Sequence, residues 1–259
     1  MSFWQIPSLP DTSRKAFGKV LINEFRLAKR VPYALGLGLG LPILLLVIFG
    51  SIPSLHQNQK DFGGISYFAL AVPILLGLSV AAISFLSLPN SLVTYREQGI
   101  LRRLSTTPVP PSWLLAAQLI VNLGIAVLGL LLIIVVGMAA FGLAAPKNIP
   151  GFLLAILLTI TSIFAVGLWI AAVAKNNNAS RTEGGLLFYM MIFFGGMWVP
   201  REIMPPVLLN ISNWTPLGAS VASVQNSMQG VFPSGQALLC LAIYTLIFSF
   251  LAIRYFRWE

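Results

Sequence analysis

The chain has 259 residues, of which 57% are hydrophobic and only 9% are charged, and its mean hydropathy is +0.87. Soluble domains carry about 25% charged residues, so this composition excludes an ordinary soluble enzyme or binding domain. The net charge of +9 would suit nucleic acid, but the basic residues form no stripe interleaved with aromatic residues. The composition therefore predicts an all-α polytopic membrane protein with no nucleic-acid partner.

The first predicted element is an amphipathic interfacial helix over residues 13–31. Asp11-Thr12-Ser13 offers an N-cap, and Pro32 marks the end of the helix. A basic amphipathic helix lies at the headgroup boundary of a bilayer, so we expect membrane lipid as its partner, with or without contact to a soluble protein. The apolar positions at helical spacing are Phe17, Val20, Leu21, Phe25 and Ala28, and the polar positions are Lys15, Lys19, Asn23, Arg26 and Arg30.

Six apolar runs follow, and each is read as a transmembrane helix because the runs are continuous rather than alternating. Their central parts hold no Asp, Glu, Lys or Arg, which argues against a pump driven by an ion gradient. One transmembrane domain is predicted over residues 1–259. The predicted spans are residues 34–52, 66–88, 113–141, 152–174, 184–198 and 237–253.

The basic residues are distributed unevenly over the loops between these spans. With the N-terminus inside, 13 of the 16 Lys and Arg residues fall on the cytoplasmic side. The other three are Lys60, Lys147 and Arg201. Because Lys and Arg are retained in cytoplasmic loops, we expect a multi-pass protein of a cell membrane with both termini in the cytoplasm.

A charged segment separates the second and third predicted spans. Arg96, Glu97, Arg102 and Arg103 lie within eight residues, between two long runs of apolar residues. Such charges need water or a partner, and the apolar flanks supply neither. The segment is therefore the first candidate for contact with a soluble protein.

The residues after the fifth span contain several prolines and apolar pieces too short to cross a bilayer. Trp198 and Trp214 suit the membrane interface. We predict that residues 200–232 form an outer re-entrant helical hairpin, with a plain extracellular loop as the alternative.

The sequence offers little for catalysis. Cys240 is its single cysteine and His56 its single histidine, so no Cys/His metal site and no Ser–His hydrolase is expected. An intramembrane enzyme would need a catalytic His, Cys or carboxylate inside the bilayer, and a passive channel would need polar rings along a span. No single span presents such rings, and apart from the lone Cys240 of the last span no such catalytic residue is found within the spans. No G-x-x-x-x-G-K-[ST] phosphate loop is present.

Two parts of the chain together resemble a known family. The run Tyr95-Arg96-Glu97-Gln98-Gly99-Ile100-Leu101, followed by Leu104 and Thr107-Pro108-Val109, resembles the signature of the membrane subunits of ABC-2-type transporters. That signature is an acidic-Arg-Glu-x-Gly-Thr-Leu run with a downstream Thr-Pro-Val. Trp214-Thr215-Pro216-Leu217 is similar to the family's outer Asn-Pro-Leu element. Tyr95, Ile100 and Thr215 depart from the usual acidic residue, Thr and Asn.

The resemblance implies a permease subunit of a bacterial or archaeal exporter that is not itself an enzyme. Residues 94–107 would be a coupling helix seated on a separate ATP-binding subunit, present in two copies beside a second permease copy or a close homologue. ATP and Mg would bind that partner, and no cofactor is expected in this chain. The implied contacts are Tyr95, Arg96, Glu97, Gly99, Leu101, Arg102 and Arg103.

The substrate is the least determined part of this interpretation. Aromatic and Met side chains gather in the fifth span, which suits a hydrophobic or amphipathic compound such as a drug, an antibiotic or a lipid. The residues assigned to the substrate path are Phe188, Met191, Phe194 and Trp198. Helix packing is the simpler explanation for each of them. The alternative functions are export of a glycan or lipid-linked glycan, and a passive channel or another membrane protein outside the ABC transporters.

Overall fold

The structure is a computed structural model that describes residues 11–29, 36–59, 62, 64–100, 103 and 111–255. Among these residues the architecture is helical, apart from one antiparallel pairing of two short strands. In that pairing β1 (Asn58–Gln59) lies against β2 (Ile65–Ser66), with Asn58 opposite Ser66. The helices are α1 (Asp11–Lys29), α2 (Leu41–Ser51), α3 (Tyr67–Glu97), α4 (Pro111–Phe141), α5 (Ile149–Val173), α6 (Asn177–Gly195), α7 (Pro206–Asn213), α8 (Pro216–Gln229) and α9 (Gly235–Tyr255).

Helix α3 is the centre of the bundle. Of its most apolar stretch, 89% is buried inside the chain, compared with 22% for α9. Its N-terminus is capped by Ser66, whose Oγ accepts the amide of Ala69 at 3.3 Å. Helices α2, α4, α5, α6 and α8 pack around α3, whereas α1 packs along α4 and α9 pairs with α5.

The middle of α3 contains a π-helical turn, Ile83–Ser87, just before Pro89. Proline has no amide hydrogen, so the carbonyl of Phe85 loses its helical donor four residues later. That carbonyl lies against Gly184 of α6, and the carbonyl of Ser84 lies against Gly167 of α5. Because both positions are glycine, the neighbouring backbones approach closely at this irregular turn.

Four described helices are long and apolar enough to cross a membrane: α3, α4, α5 and α9. A shorter apolar helix covers Gly38–Ser51 within the first predicted span, whose residues 34 and 35 lie outside the described part. Helix α6 has 19 residues, but its first two turns are polar. The described helices thus establish an all-α polytopic protein, and the total of six spans stays a prediction.

The predicted boundaries shift by up to three residues at most helices and by more at two of them. Helix α3 continues nine residues past the predicted end of the second span, so Thr94–Glu97 form its last turn rather than the start of a separate coupling helix. Helix α6 begins at Asn177, seven residues before the predicted fifth span, and ends at Gly195, which Gly196 follows with φ +94°. The short apolar run thus corresponds to a longer helix with a polar start.

The ends of the bundle follow from the alternating direction of the helices. The end of α3, the start of α4 and the α5–α6 junction meet at one end, which we call the Glu97 end. The α4–α5 connection and the start of α9 lie at the opposite end, where Asn148 donates its amide to the carbonyl of Ser227 at 3.0 Å. On α9, large apolar side chains point away from the chain. They are Leu239, Leu246, Ile247, Phe250 and Ile253.

Candidate functional site

The candidate site is the end of α3 and the turn that follows it. Gln98 and Gly99 form this turn, and Gly99 has a φ of +64°, which favours glycine. The amide of Arg103 then donates to the carbonyl of Gly99 at 3.0 Å, as in a helical turn. Of the predicted contact residues, Leu101 and Arg102 lie outside the described part of the chain.

Glu97 is held by the start of α6. Its Oε1 accepts the backbone amide of Asn177 at 2.9 Å, and its Oε2 accepts a hydrogen bond from the Asn177 side chain. A carboxylate at a helix N-terminus satisfies an amide that has no helical partner and interacts favourably with the helix dipole. Glu97 therefore acts as an added cap on α6, although its side chain is exposed.

Three more contacts join the same two regions. Arg96 donates to the carbonyl of Ala174, Thr94 Oγ1 donates to Asn177 Oδ1 at 3.0 Å, and Arg181 donates to Asn90 at 3.2 Å. We refer to these contacts, together with those of Glu97, as the Glu97 clamp. The clamp makes the last two turns of α3 and the α5–α6 junction a single hydrogen-bonded unit.

Tyr95 faces the other way, toward α1 and α4. Its hydroxyl donates to Glu24 Oε2 at 2.7 Å and accepts from Gln118 Nε2 at 3.0 Å. Gln118 Nε2 also donates to the same carboxylate oxygen of Glu24. These three residues, called the Glu24 cluster below, join α1, α3 and α4 at the Glu97 end.

Glu24 is only 3% exposed. Burial raises the pKa of its carboxyl group, and the hydrogen bonds from Tyr95 and Gln118 oppose that shift. Glu24 is not among the site residues predicted from the sequence. The signal was present, because Glu24 shares the helical face of Phe17, Leu21 and Ala28, and this face packs toward α4 and the core. An acidic residue on the apolar face of a basic helix needs a buried hydrogen-bond partner.

The apolar residues predicted on α1 have two different surroundings. Phe17 contacts Trp113 of α4 edge to face, with the ring centroids 5.7 Å apart. Phe25 was placed on the same face but is 48% exposed, next to the exposed Ile22. Lys19 and Arg26 are exposed as predicted.

The four residues assigned to a substrate path do not share one environment. Phe188 is buried in the core, and Met191 packs partly against it. Phe194 is half-buried near the end of α6, and Trp198 lies beyond that helix with 69% of its surface exposed. One apolar cavity, near the α4–α5 connection, holds only about 10 Å³ and includes none of these residues. That volume would admit about one water molecule.

A second polar arrangement lies at the end of the bundle opposite the Glu97 end, and it too is absent from the site residues predicted from the sequence. Arg201 is buried and donates to the side chains of Ser212 and Asn213 at the end of α7. Ser212 in turn donates to the carbonyl of Phe194 at 2.5 Å. Burial lowers the pKa of Arg201, and the charge of Glu202 opposes the shift. These bonds attach α7 to the end of α6.

The described residues contain no group of three or more His, Cys, Asp or Glu side chains that could hold a metal ion. The site at the Glu97 end consists of hydrogen bonds between helices.

The sequence was also compared with known proteins. The model of a family described as "ABC-2 type transporter" matches residues 15–228, which is most of the chain. "Putative transport permease YvfS" of Bacillus subtilis (strain 168) is 26% identical over 241 residues, covering 92% of this chain and 96% of that protein. The match thus includes α1, the Glu97 end and helices α7 and α8.

Proposed function

The chain belongs to the ABC-2 type transporter family as a membrane-spanning subunit, and from this premise we propose that it exports a hydrophobic or amphipathic compound. The energy comes from ATP that a separate subunit hydrolyses, with ATP and Mg bound there. One observation carries the coupling part of the proposal. The charged end of α3 is hydrogen-bonded both to the α5–α6 junction and to α1 and α4. A displacement of this end would therefore be transmitted to most of the helices in the bundle.

In this proposal the Glu97 end faces the cytoplasm, and residues 94–107 receive the ATP-binding subunit. The contacts of Tyr95, Arg96 and Glu97 within the chain divide the predicted coupling residues into two groups. These three residues transmit the movement of α3 to the neighbouring helices, whereas Arg102 and Arg103 contact the ATP-binding subunit. Gly99 sets the turn between the two groups.

Two permease copies, or this chain and a close homologue, assemble with two ATP-binding subunits. Closure of the ATP-binding subunits favours one arrangement of the spans, because the nucleotide state binds the two arrangements with different free energies. Trp198 at the predicted path is 69% exposed on the single chain, which supports a path formed between two copies. Phe188, Met191, Phe194 and Trp198 remain the proposed lining of that path.

The apolar character of the spans supports the substrate class. Helices α4, α5 and α9 contain no charged residue before Arg254, so a charged polymer would find no counter-charges along them. Helices α7 and α8 are proposed as an outer re-entrant pair, since α8 is largely buried among the spans and Ser212 of α7 donates to the carbonyl of Phe194 in α6.

The test is transport by purified protein. The permease and its ATP-binding partner are reconstituted in vesicles, and a panel of lipophilic fluorescent compounds is compared with hydrophilic oligosaccharides. We expect ATP-dependent movement of at least one lipophilic compound. Arg103→Glu should reduce binding of the ATP-binding subunit about tenfold or more, because a reversed charge at an interface is repelled.

A matched control for the charge reversal is Arg254→Glu, since Arg254 is also exposed and basic but lies at the end of α9. An ATP-binding subunit that cannot hydrolyse ATP controls for leakage. Transport of oligosaccharides alone would overturn the substrate class. Undiminished partner binding by Arg103→Glu would overturn the assignment of that contact.

A further inference from the structure

The Glu24 cluster extends into a longer chain of hydrogen bonds between α3 and α4. Asn122 donates to the backbone and side-chain carbonyls of Gln118, at 2.9 and 3.2 Å. Ser87 of α3 then donates to Asn122 Oδ1 at 3.0 Å. Ser87 and Tyr95 are eight residues apart, which is about 12 Å along a helix. We call this chain of hydrogen bonds through Glu24, Tyr95, Gln118, Asn122 and Ser87 the polar seam. It runs from the last turn of α3 to the π-helical turn in the same helix.

The seam is buried in an otherwise apolar protein. Glu24, Gln118 and Asn122 are 3%, 7% and 3% exposed. Polar groups removed from water are costly unless they are hydrogen-bonded, and a carboxylate is the most costly of them. Each of these groups has a partner here. Separating α1 from α3 and α4 would leave the Glu24 carboxylate without both of its bonds, and Tyr95 and Gln118 would each lose one.

Glu24 also differs from its neighbours in what it contacts. The other polar side chains of α1 that the structure describes, Lys19, Asn23 and Arg26, are exposed. In contrast to those three residues, Glu24 accepts hydrogen bonds from α3 and α4. Its Oε2 atom accepts both the Tyr95 hydroxyl and the Gln118 side-chain amide. A hydrogen bond that includes a charged group is stronger than one between neutral groups, so the bonds to Glu24 favour joint movement of α1, α3 and α4.

We propose that Glu24, Tyr95 and Gln118 form a latch that makes α1 and the start of α4 move with the end of α3. The inference rests on the proposed function, in which an ATP-binding subunit displaces the tip of α3. Glu24 and Tyr95 are then positioning residues of the coupling step: they touch neither ATP nor substrate, and they transmit the displacement to the helix that packs along α4.

The latch predicts how substitutions at Glu24 should differ. Gln at this position keeps a carbonyl oxygen that can accept from Tyr95 and Gln118, whereas Leu removes the acceptor. Tyr95→Phe removes the hydroxyl and keeps the ring. We therefore expect Glu24→Leu and Tyr95→Phe to uncouple the movement and Glu24→Gln to preserve it.

The experiment measures distance and transport on the same samples, which are the full chain reconstituted with its ATP-binding partner. Cys240 is replaced by Ala, and spin labels are attached at Ile22→Cys on α1 and Gln98→Cys after α3, since both positions are exposed. With the latch intact, the distance distribution should stay narrow with and without ATP. In Tyr95→Phe and Glu24→Leu it should broaden, and molecules transported per ATP should fall at least about fivefold.

Two controls separate the latch from a general loss of structure. Tyr244→Phe removes a half-buried hydroxyl on α9, and Glu202→Gln alters a carboxylate that accepts from Gln225 at the opposite end. Both should keep narrow distances and normal coupling. Narrow, unchanged distances in Tyr95→Phe and Glu24→Leu would overturn the latch. If the distances behave as expected but no lipophilic compound is transported, the latch holds and the proposed substrate class fails.

Discussion

At the scale of single residues, two adjacent glycines of α6 have opposite surroundings. A Cβ on Gly184 would overlap the carbonyl oxygen of Phe85, whereas a Cβ on Gly185 would have no heavy atom within 4 Å. Phe85 O is a backbone atom at the π-helical turn of α3, so it cannot rotate away. The spacing between α3 and α6 thus depends on one glycine and not on its neighbour.

We predict that Gly184→Ala destabilises the protein by about 1–3 kcal/mol, because overpacking forces the two helices apart. Gly185→Ala should be neutral or stabilising, since alanine favours helix by about 1 kcal/mol over glycine. Thermal unfolding of the purified variants in the same detergent measures the difference. Equal melting temperatures for both variants would contradict the close packing of α6 on α3.

The same scale shows what a sequence pattern can miss. The sequence identified the charged residues 96–103, and the structure places Arg96 and Glu97 in contacts within the chain. Glu24 carries a comparable set of bonds, yet its partners are 71 and 94 residues away along the chain. Spacing along one helix predicts its buried face, but it does not say which polar groups of other helices meet that face.

At the scale of elements, the Glu97 clamp is the contact between α3 and the start of α6. Asn177 supplies two donors to Glu97 and one acceptor to Thr94. Its neighbour Asn178 has an exposed side chain. These adjacent asparagines allow the clamp to be tested without changing the length or charge of α6.

Asn177→Ala should lower the free energy of unfolding by about 1–2 kcal/mol, because it removes a hydrogen bond to a charged group while leaving the backbone amide. Hydrogen exchange should also increase in the first turns of α6. Asn178→Ala is the matched control and should change neither. If Asn177→Ala left exchange at the start of α6 unchanged, the clamp would not stabilise this helix.

Helix α3 shows why the boundaries of an element could not be predicted accurately from the sequence. Hydropathy falls at residue 89, so the predicted span ended near Leu88. The helix nevertheless continues to Glu97, because Tyr95 is satisfied by α1 and α4 and Glu97 by α6. Polar residues can extend a membrane helix when neighbouring helices supply their partners, and hydropathy does not register those partners.

At the scale of the whole molecule, the orientation in the membrane remains a prediction from the distribution of basic residues. Asn178 lies at the Glu97 end, and Val231 is exposed at the opposite end. Both positions are suitable for cysteine labelling, because Cys240 is the single native cysteine and can be replaced by Ala.

In intact cells, Val231→Cys should react with a membrane-impermeant maleimide, whereas Asn178→Cys should react only after the membrane is permeabilised. The physical reason is that basic loops are retained on the cytoplasmic side. Labelling is followed by gel shift of the purified protein. The reverse pattern would invert the orientation and would place residues 94–107 on the wrong side for an ATP-binding subunit.

The sequence by itself determined the class of protein, the approximate positions of its apolar helices and the charged segment after α3. These follow from composition and from properties that are local along the chain, such as hydropathy, proline and charge. The family resemblance, carried by residues 95–109 and 214–217, agrees with the family match over residues 15–228.

Only the tertiary structure decided which groups meet. In the folded chain Glu24 accepts hydrogen bonds from Tyr95 and Gln118, and Glu97 caps α6. The carbonyl of Phe85 lies against Gly184. Each of these pairs joins residues from different helices, and their approach depends on helix packing and on the π-helical turn of α3. A polar residue in an apolar segment indicates that a hydrogen-bond partner is needed, but only the packing of the helices determines which residue that partner is.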